Sequence, residues 1–181
     1  MLDRKISLSR KLLNWSITSG SILICILAMY TRFPGMSLMG IAPNWLLIWL
    51  VAWSVNRPMI LAVMAGIALG MIQDAMTIND VITAPTHVIG LAIAGGLTSL
   101  LQKQRYVQED FISIALIVFG MAVIVETMHA IQLTAMGAKM ENVWTMQQRI
   151  ALSSAILSSL WSPVVYFPLS RWWRALERKE E

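Results

Sequence analysis

Six long stretches of this 181-residue chain contain almost no charged side chains, and this distribution constrains the fold more than any other feature. The stretches run from Leu12 to Tyr30, Ile41 to Val55, Pro58 to Ile72, Val88 to Leu101, Phe111 to Leu133 and Ile150 to Leu169. Inside them, only Glu126 and His129 could carry charge near neutral pH, apart from the weakly acidic thiol of Cys25. Helices buried in a soluble core normally show a polar face, which these stretches lack. We therefore expect an all-α integral membrane protein.

Segment length indicates how many of the stretches cross the bilayer. About 20 helical residues span roughly 30 Å of hydrocarbon, a length that three stretches reach directly. The third can extend to Met76 and the fourth can begin near Ile82, whereas the second would need local thinning of the bilayer. The prediction is one transmembrane domain over residues 1–181 with six spans, at 12–30, 41–55, 58–76, 82–101, 111–133 and 150–169.

Basic residues are distributed unequally between the two sides that such a bundle would have. Eleven of the 14 Lys and Arg residues lie in the two tails and in the second and fourth loops, and three lie in the first and fifth loops. Because cytoplasmic loops carry the excess of basic residues, both termini are predicted to be cytoplasmic. The net charge of +4 then favours affinity for anionic lipids, with no nucleic-acid partner.

The second segment begins with Pro43 and Asn44 and carries tryptophans every four residues. Proline loses no hydrogen bond in a first helical turn, so Pro43 is predicted to begin the helix. Trp45, Trp49 and Trp53 would form one stripe. This stripe is either a packing or lipid-facing surface or the aromatic lining of a small-ligand site. The segment ends at a short link that contains Arg57.

The third segment places small residues and one acid at four-residue intervals. Gly66 and Gly70 would allow a second helix to approach closely, which makes them candidates for a helix crossing. Asp74 follows beside this seam. It either lies at the outer interface, where it caps or orients the third loop, or makes a buried contact with a partner.

Glu126 and His129 lie three residues apart on one face of the fifth segment. Ionisable residues inside a membrane face protein or water, so these two are the strongest functional candidates. Their interpretations are a polar contact within the bundle or with a partner helix, or a path for protons or a solute. A di-metal site would need a second such pair and further carboxylates, which the sequence lacks. His87 is predicted to be an interfacial residue near the outer end of the fourth helix.

The remaining features argue against catalysis. The fifth loop, Thr134 to Arg149, has the spacing of a short amphipathic helix on the outer face, or of a docking surface. No nucleophile with a base, glycine-rich phosphate loop or carboxylate pair is present, and no metal or cofactor site is expected. The sequence therefore predicts a protein that is not an enzyme.

An ordered set of motifs resembles the MreD family of bacterial rod-shape proteins. The motifs are Ala42-Pro43-Asn44-Trp45-Leu46, Arg57-Pro58, Gly66-x3-Gly70-x3-Asp74, Gly90, and the tryptophan-proline pair of the sixth segment, Trp161-Ser162-Pro163. The likeness extends over essentially the whole length and is most distinctive from Pro43 to about Leu101. Glu126 loosely matches an acid that helix five of that family can carry. Ser162, which separates Trp161 from Pro163, is a small departure.

The resemblance implies a non-enzymatic scaffold in the bacterial plasma (inner) membrane. MreD-like proteins associate with MreC, a single-pass protein with a periplasmic coiled coil, and with MreB filaments. Through MreC they connect to a SEDS glycosyltransferase and a class B transpeptidase, which build lateral peptidoglycan. In this scaffold the helix two/three hairpin and the Gly66/Gly70 seam would hold a partner's transmembrane helix. The implied kinship with substrate-binding S components of energy-coupling factor vitamin transporters supplies an alternative, in which the tryptophan stripe, Glu126 and His129 line a small-molecule pocket.

Overall fold

The computed structural model describes residues 8–31, 37–38, 40–55, 57–77, 85–103, 110–137 and 140–177. Over these residues the chain forms six α-helices, and the sole β-type pairing among them is one isolated bridge between Leu38 and Ile41. The helices are α1 (Leu8–Tyr30), α2 (Trp45–Ser54), α3 (Met59–Thr77), α4 (Val88–Lys103), α5 (Phe111–Ala135) and α6 (Met140–Glu177). The all-helical prediction is confirmed.

Helix α2 forms the centre of the bundle. It contacts each of the other five helices, and Leu46, Leu47 and Leu50 are fully buried. A helix that is apolar on all sides, as this one is, belongs in an interior. Its ten residues measure only about 15 Å. Because α2 is enclosed by protein, its length does not have to match the thickness of the bilayer.

Asn44, and not Pro43, defines the beginning of α2. The Asn44 side chain accepts a hydrogen bond from the Leu47 N–H at 3.0 Å, which is the N-cap contact. The Asn44 N–H in turn donates to the Ser158 hydroxyl on α6 at 2.9 Å. Pro43 is buried just before the cap, so the prediction that it lies in the first helical turn is wrong.

Helices α3 and α4 pack at very close range because glycines face each backbone. A Cβ atom on Gly70 would lie 2.5 Å from the Val88 Cα, and one on Gly66 would collide with the Leu91 carbonyl. From the other side, a Cβ on Gly95 would lie 2.5 Å from the Ala62 carbonyl oxygen. The structure therefore places Gly66 and Gly70 at a helix crossing with α4 of the same chain.

Two helix boundaries differ from the sequence prediction. Helix α4 begins at Val88, since residues 85–87 are not helical, and residues 82–84 of the predicted span lie outside the described residues. Helix α6 extends over 38 residues, about 57 Å, instead of the predicted 150–169. The helical segment expected inside 134–149 is thus continuous with α6 from Met140 onward, after a turn in which Gly137 has φ +93°.

Four of the helices are long and apolar enough to cross a membrane. They include the segments Leu12–Tyr30, Met59–Thr77, Phe111–Ala135 and Gln147–Ala175, whereas α2 and α4 belong to the shorter apolar helices. These lengths support a membrane protein. The six-span count and the cytoplasmic position of the termini stay predictions.

Candidate functional site

Polar side chains of α3, α5 and α6 and of the two residues that precede α4 lie close together. We call this group the polar cluster and define it as Asp74, Thr86, His87, Glu126, His129 and Gln147. The sequence indicated Asp74, Glu126 and His129 separately. In the structure His87 contacts both Asp74 and His129, whereas Glu126 contacts Gln147.

Asp74 connects the end of α3 to the beginning of α4. Its carboxylate is 7% exposed and accepts hydrogen bonds from the backbone N–H groups of Thr86 and His87, at 3.1 and 3.0 Å. The His87 Nδ1–H donates to the same carboxylate at 2.7 Å. Both predicted roles of Asp74 meet here, because it orients the end of the third loop and is also buried. The contacts hold residues 86 and 87 out of the helix, which is why α4 begins at Val88.

His87 is the cluster member whose role sequence reasoning missed. Besides its hydrogen bond to Asp74, its ring lies against the His129 ring of α5, with centroids 4.5 Å apart. His87 is therefore a bridge between α3 and α5 and not an isolated interfacial residue. One sequence feature could have indicated this role. His87 comes directly before an apolar segment, and the preceding apolar segment ends near Asp74.

Glu126 contacts α6. Gln147 donates from Nε2 to the Glu126 carboxylate at 2.8 Å and to its backbone carbonyl at 3.1 Å. Glu126 thus makes a polar contact within the bundle, which was one of its two interpretations. Among the described residues, no group of three or more His, Cys, Asp or Glu side chains could hold a metal ion.

Several polar atoms beside these contacts lack a hydrogen-bond partner. They are the His129 Nδ1 and both side-chain polar atoms of Gln132, one turn further along α5, together with the Gln73 Oε1 next to Asp74. Burying such an atom without a partner costs about 1–3 kcal/mol. The polar cluster consequently retains unused hydrogen-bonding capacity.

The tryptophan stripe of α2 is a packing surface. Trp45 packs against Trp161 of α6 with ring centroids 5.8 Å apart, and Trp49 stacks on Trp53 and meets Trp173 edge to face. The Trp49 indole N–H donates to the Ser21 hydroxyl on α1 at 2.8 Å. Of the two alternatives for this stripe, the structure therefore favours packing over a ligand lining.

Arg57 holds the link between α2 and α3. Its guanidinium carbon lies 5.4 Å from the centre of the Trp53 ring, a cation–π distance. Its backbone carbonyl accepts a 2.7 Å hydrogen bond from the Ser99 hydroxyl of α4. These contacts fix the hairpin at the end of the bundle opposite to the polar cluster.

The fold and these sites together define a helical membrane protein whose polar groups mainly join its own helices. Residues 9–171 match the sequence model of the MreD family, which is described as rod shape-determining protein MreD. The chain belongs to the MreD family, and this membership implies a role in rod-shape determination. The members of this family are structural proteins that are not known as enzymes. No curated protein and no solved structure matches the chain. Kinship with transporter S components therefore stays a prediction.

Proposed function

We propose that this protein is a non-enzymatic scaffold of the bacterial elongasome that binds MreC in the plasma membrane. Through MreC it would organise MreB filaments, the SEDS glycosyltransferase and the class B transpeptidase during lateral peptidoglycan synthesis. The family match over residues 9–171 carries this proposal. Six spans with both termini in the cytoplasm, as the basic residues predict, would place the fifth loop on the side of the MreC coiled coil.

The surface for the MreC helix has to differ from the glycine seam. Since α4 occupies Gly66 and Gly70, these two residues cannot also hold a partner helix, and that part of the sequence hypothesis is corrected. The opposite side of α3 presents an exposed apolar stripe at helical spacing, formed by Ile60, Met64, Ala68, Met71 and Ala75. Small alanines between flexible methionines suit close packing of a second helix in lipid. We propose this α3 stripe as the MreC contact.

Substitution by tryptophan at one stripe position tests this surface. Met64, 60% exposed, becomes tryptophan in the variant, and Leu116 on α5, 69% exposed, receives the same change as a matched control. Co-purification of MreC in mild detergent should be lost with Met64→Trp and kept with Leu116→Trp. Equal recovery with both variants would contradict the α3 stripe, and no recovery with the unmodified chain would contradict MreC as the partner.

A second candidate function, small-molecule binding in the manner of a transporter subunit, is supported by one observation. The His129 Nδ1 and both side-chain polar atoms of Gln132, on the same helix as Glu126, have no hydrogen-bond partner. Native mass spectrometry of the purified protein tests it. A stoichiometric bound small molecule supports this function, and a spectrum of the bare chain in every preparation contradicts it.

A further inference from the structure

The two histidines of the chain lie against each other in one contact. His87 directly precedes α4 and His129 lies on α5, and their ring centroids are 4.5 Å apart with the planes tilted by 31°. Histidine is the side chain that ordinarily changes its charge between about pH 5 and pH 8. The contact between α4 and α5 therefore consists, at this point, of two groups that can both become positive on mild acidification.

The structure provides one carboxylate in direct contact for the two rings. The Asp74 Oδ1 lies 2.7 Å from the His87 Nδ1. Among the described residues, this is the sole contact within 4.0 Å between a histidine nitrogen and a carboxylate oxygen. Glu126 precedes His129 by three residues on α5, but its carboxylate is bonded to Gln147 of α6. A positive charge on His129 would therefore lack the direct partner that His87 has.

The other helices packed around the rings supply no compensating charge. Helix α2 and the segment of α4 from Val88 to Leu101 have no titratable side chain, and Asp74 is the sole one on α3. On the described part of α6 near this level, Gln147 is neutral and Arg149 is exposed. The His129 Nδ1 is buried without a partner, and a protonated imidazole carries N–H groups on both nitrogens. Protonation of His129 would thus bury an unsatisfied donor beside a second positive ring.

The ring contact joins two helix pairs at a level that α2 does not reach. Helices α3 and α4 pack on each other through the glycine seam, and α5 packs on α6. The start of α2 is bonded to Ser158, and Gln147 lies about 16 Å from that point toward the beginning of α6. Nearer to α2, Gly90 of α4 approaches Val125 of α5 so closely that a Cβ would lie 3.2 Å from the Val125 carbonyl oxygen. The two pairs can therefore separate at the rings and stay in contact at Gly90.

We propose that the His87–His129 contact is a pH-sensitive latch, closed at neutral pH and opened when both rings are protonated. Two positive charges at this distance repel each other, and Asp74 directly offsets one of them. His87 stays with α3 on opening, because the backbone N–H groups of Thr86 and His87, which do not titrate, also bond Asp74. Acid would then move the α5–α6 pair away from the α3–α4 pair at this end of the bundle. The latch is independent of the two candidate functions above.

Nuclear magnetic resonance tests the electrostatic part of the proposal. Because the chain has two histidines, both rings can be followed in the full-length protein labelled with 13C at histidine Cε1 in detergent micelles. From about pH 8 to about pH 4.5, the pair should protonate in two steps at least about one pH unit apart, since the first charge opposes the second. In His87→Phe, the remaining histidine should protonate in one step, at a higher pH than the second step of the pair. Two coincident titrations in the unmodified protein would contradict the coupling.

Spin labels test whether double protonation opens the latch. In a Cys25→Ala background, Thr77→Cys and Met136→Cys place one exposed label on each helix pair. Thr77→Cys with Ile89→Cys places both labels on the α3–α4 pair and is the matched control. Double electron–electron resonance should show a longer distance for the first combination at about pH 5 than at about pH 7.5, and an unchanged distance for the control.

Phenylalanine variants assign this movement to the rings. His129→Phe keeps an aromatic ring in the contact but cannot be protonated, so the distance between the labels on Thr77→Cys and Met136→Cys should no longer depend on pH. His87→Phe should have the same effect and serves if His129→Phe fails to fold. A constant first distance, an equal change in both label combinations, or a response that persists in the phenylalanine variants would overturn the latch.

Discussion

Two aspartates at helix ends perform different tasks because one is buried and the other is exposed. Asp74 lies inside the bundle and connects α3 to Thr86 and His87. Asp110 is the exposed N-cap of α5, and hydrogen bonds from the side chain and backbone of Ser113 lower the pKa of its carboxyl group. The charge of Asp74 is stabilised by hydrogen bonds in a poorly solvated site, whereas that of Asp110 is already stabilised by water. Removing the charge should therefore affect only the first of the two.

Asp74→Asn should destabilise the folded protein by about 1–3 kcal/mol. The variant loses the charge-assisted hydrogen bond to His87. Both oxygens of the Asp74 carboxylate accept hydrogen bonds from the His87 N–H, so the NH2 group of an asparagine would have to face this donor. Asp110→Asn is the control and should be neutral, since asparagine caps helices as well as aspartate does. Denaturant unfolding in mixed micelles measures both variants. Equal stability of the two variants would show that Asp74 does not hold α4 in place.

The sequence identified individual residues of the polar cluster but not the residues that they contact. An acid and a histidine within an apolar segment are conspicuous, so Glu126 and His129 could be recognised without a structure. Their contact partners, Gln147 and His87, lie more than 20 residues away in sequence and outside α5, and helical spacing carries no information about such pairs. Gln132 was passed over because a lone glutamine near a segment end is usually solvated.

At the scale of whole elements, the α3–α4 pair depends on backbones that approach without side chains between them. Two helical glycines offer a direct comparison. A Cβ on Gly66 would lie within 3.0 Å of backbone atoms of Leu91 and Ala92, and one on Gly120 of α5 would meet nothing within 4 Å. The same substitution therefore tests packing at the first position and helix propensity at the second.

Gly66→Ala should destabilise the protein by about 1–3 kcal/mol, the usual range for overpacking, because backbone atoms of α4 would have to move. Gly120→Ala should be neutral or stabilise it by up to about 1 kcal/mol, since alanine restricts the unfolded chain and favours helix. Thermal unfolding of both variants in the same detergent provides the measurement. A stable Gly66→Ala protein would mean that α3 and α4 pack less closely than the structure indicates.

Helix boundaries were predictable where a capping residue or a charge ends the apolar run, and not elsewhere. The predicted fifth span began at Phe111, directly after Asp110, as the structure has it. Helix α6 exceeds its predicted limits at both ends because helical residues outside the bilayer can be polar, and hydropathy does not detect them. The central position of α2 follows from its packing with five neighbours, which its apolar composition permits but does not specify.

At the scale of the whole molecule, the distribution of basic residues predicts which bundle end faces the cytoplasm. The polar cluster lies at the end opposite to the Arg57 link, and the positive-inside rule assigns the Arg57 side to the cytoplasm. The polar cluster would then lie nearer to the periplasmic side. Since Cys25 is buried and is the single cysteine, its removal leaves a background in which one introduced cysteine reports one position.

Cysteines introduced at the two ends of α5 should therefore be labelled by a reagent from opposite sides of the membrane. In a Cys25→Ala background, Met136→Cys lies at the exposed end of α5 beside the polar cluster, and Asp110→Cys lies at its exposed beginning. A membrane-impermeant maleimide added to intact spheroplasts should modify Met136→Cys and should reach Asp110→Cys only after the membrane is permeabilised. The Cys25→Ala background without a new cysteine controls for unspecific labelling. The reverse labelling pattern would mean that the bundle has the opposite orientation, with its termini outside. Labelling of both positions from outside would mean that α5 does not cross the membrane.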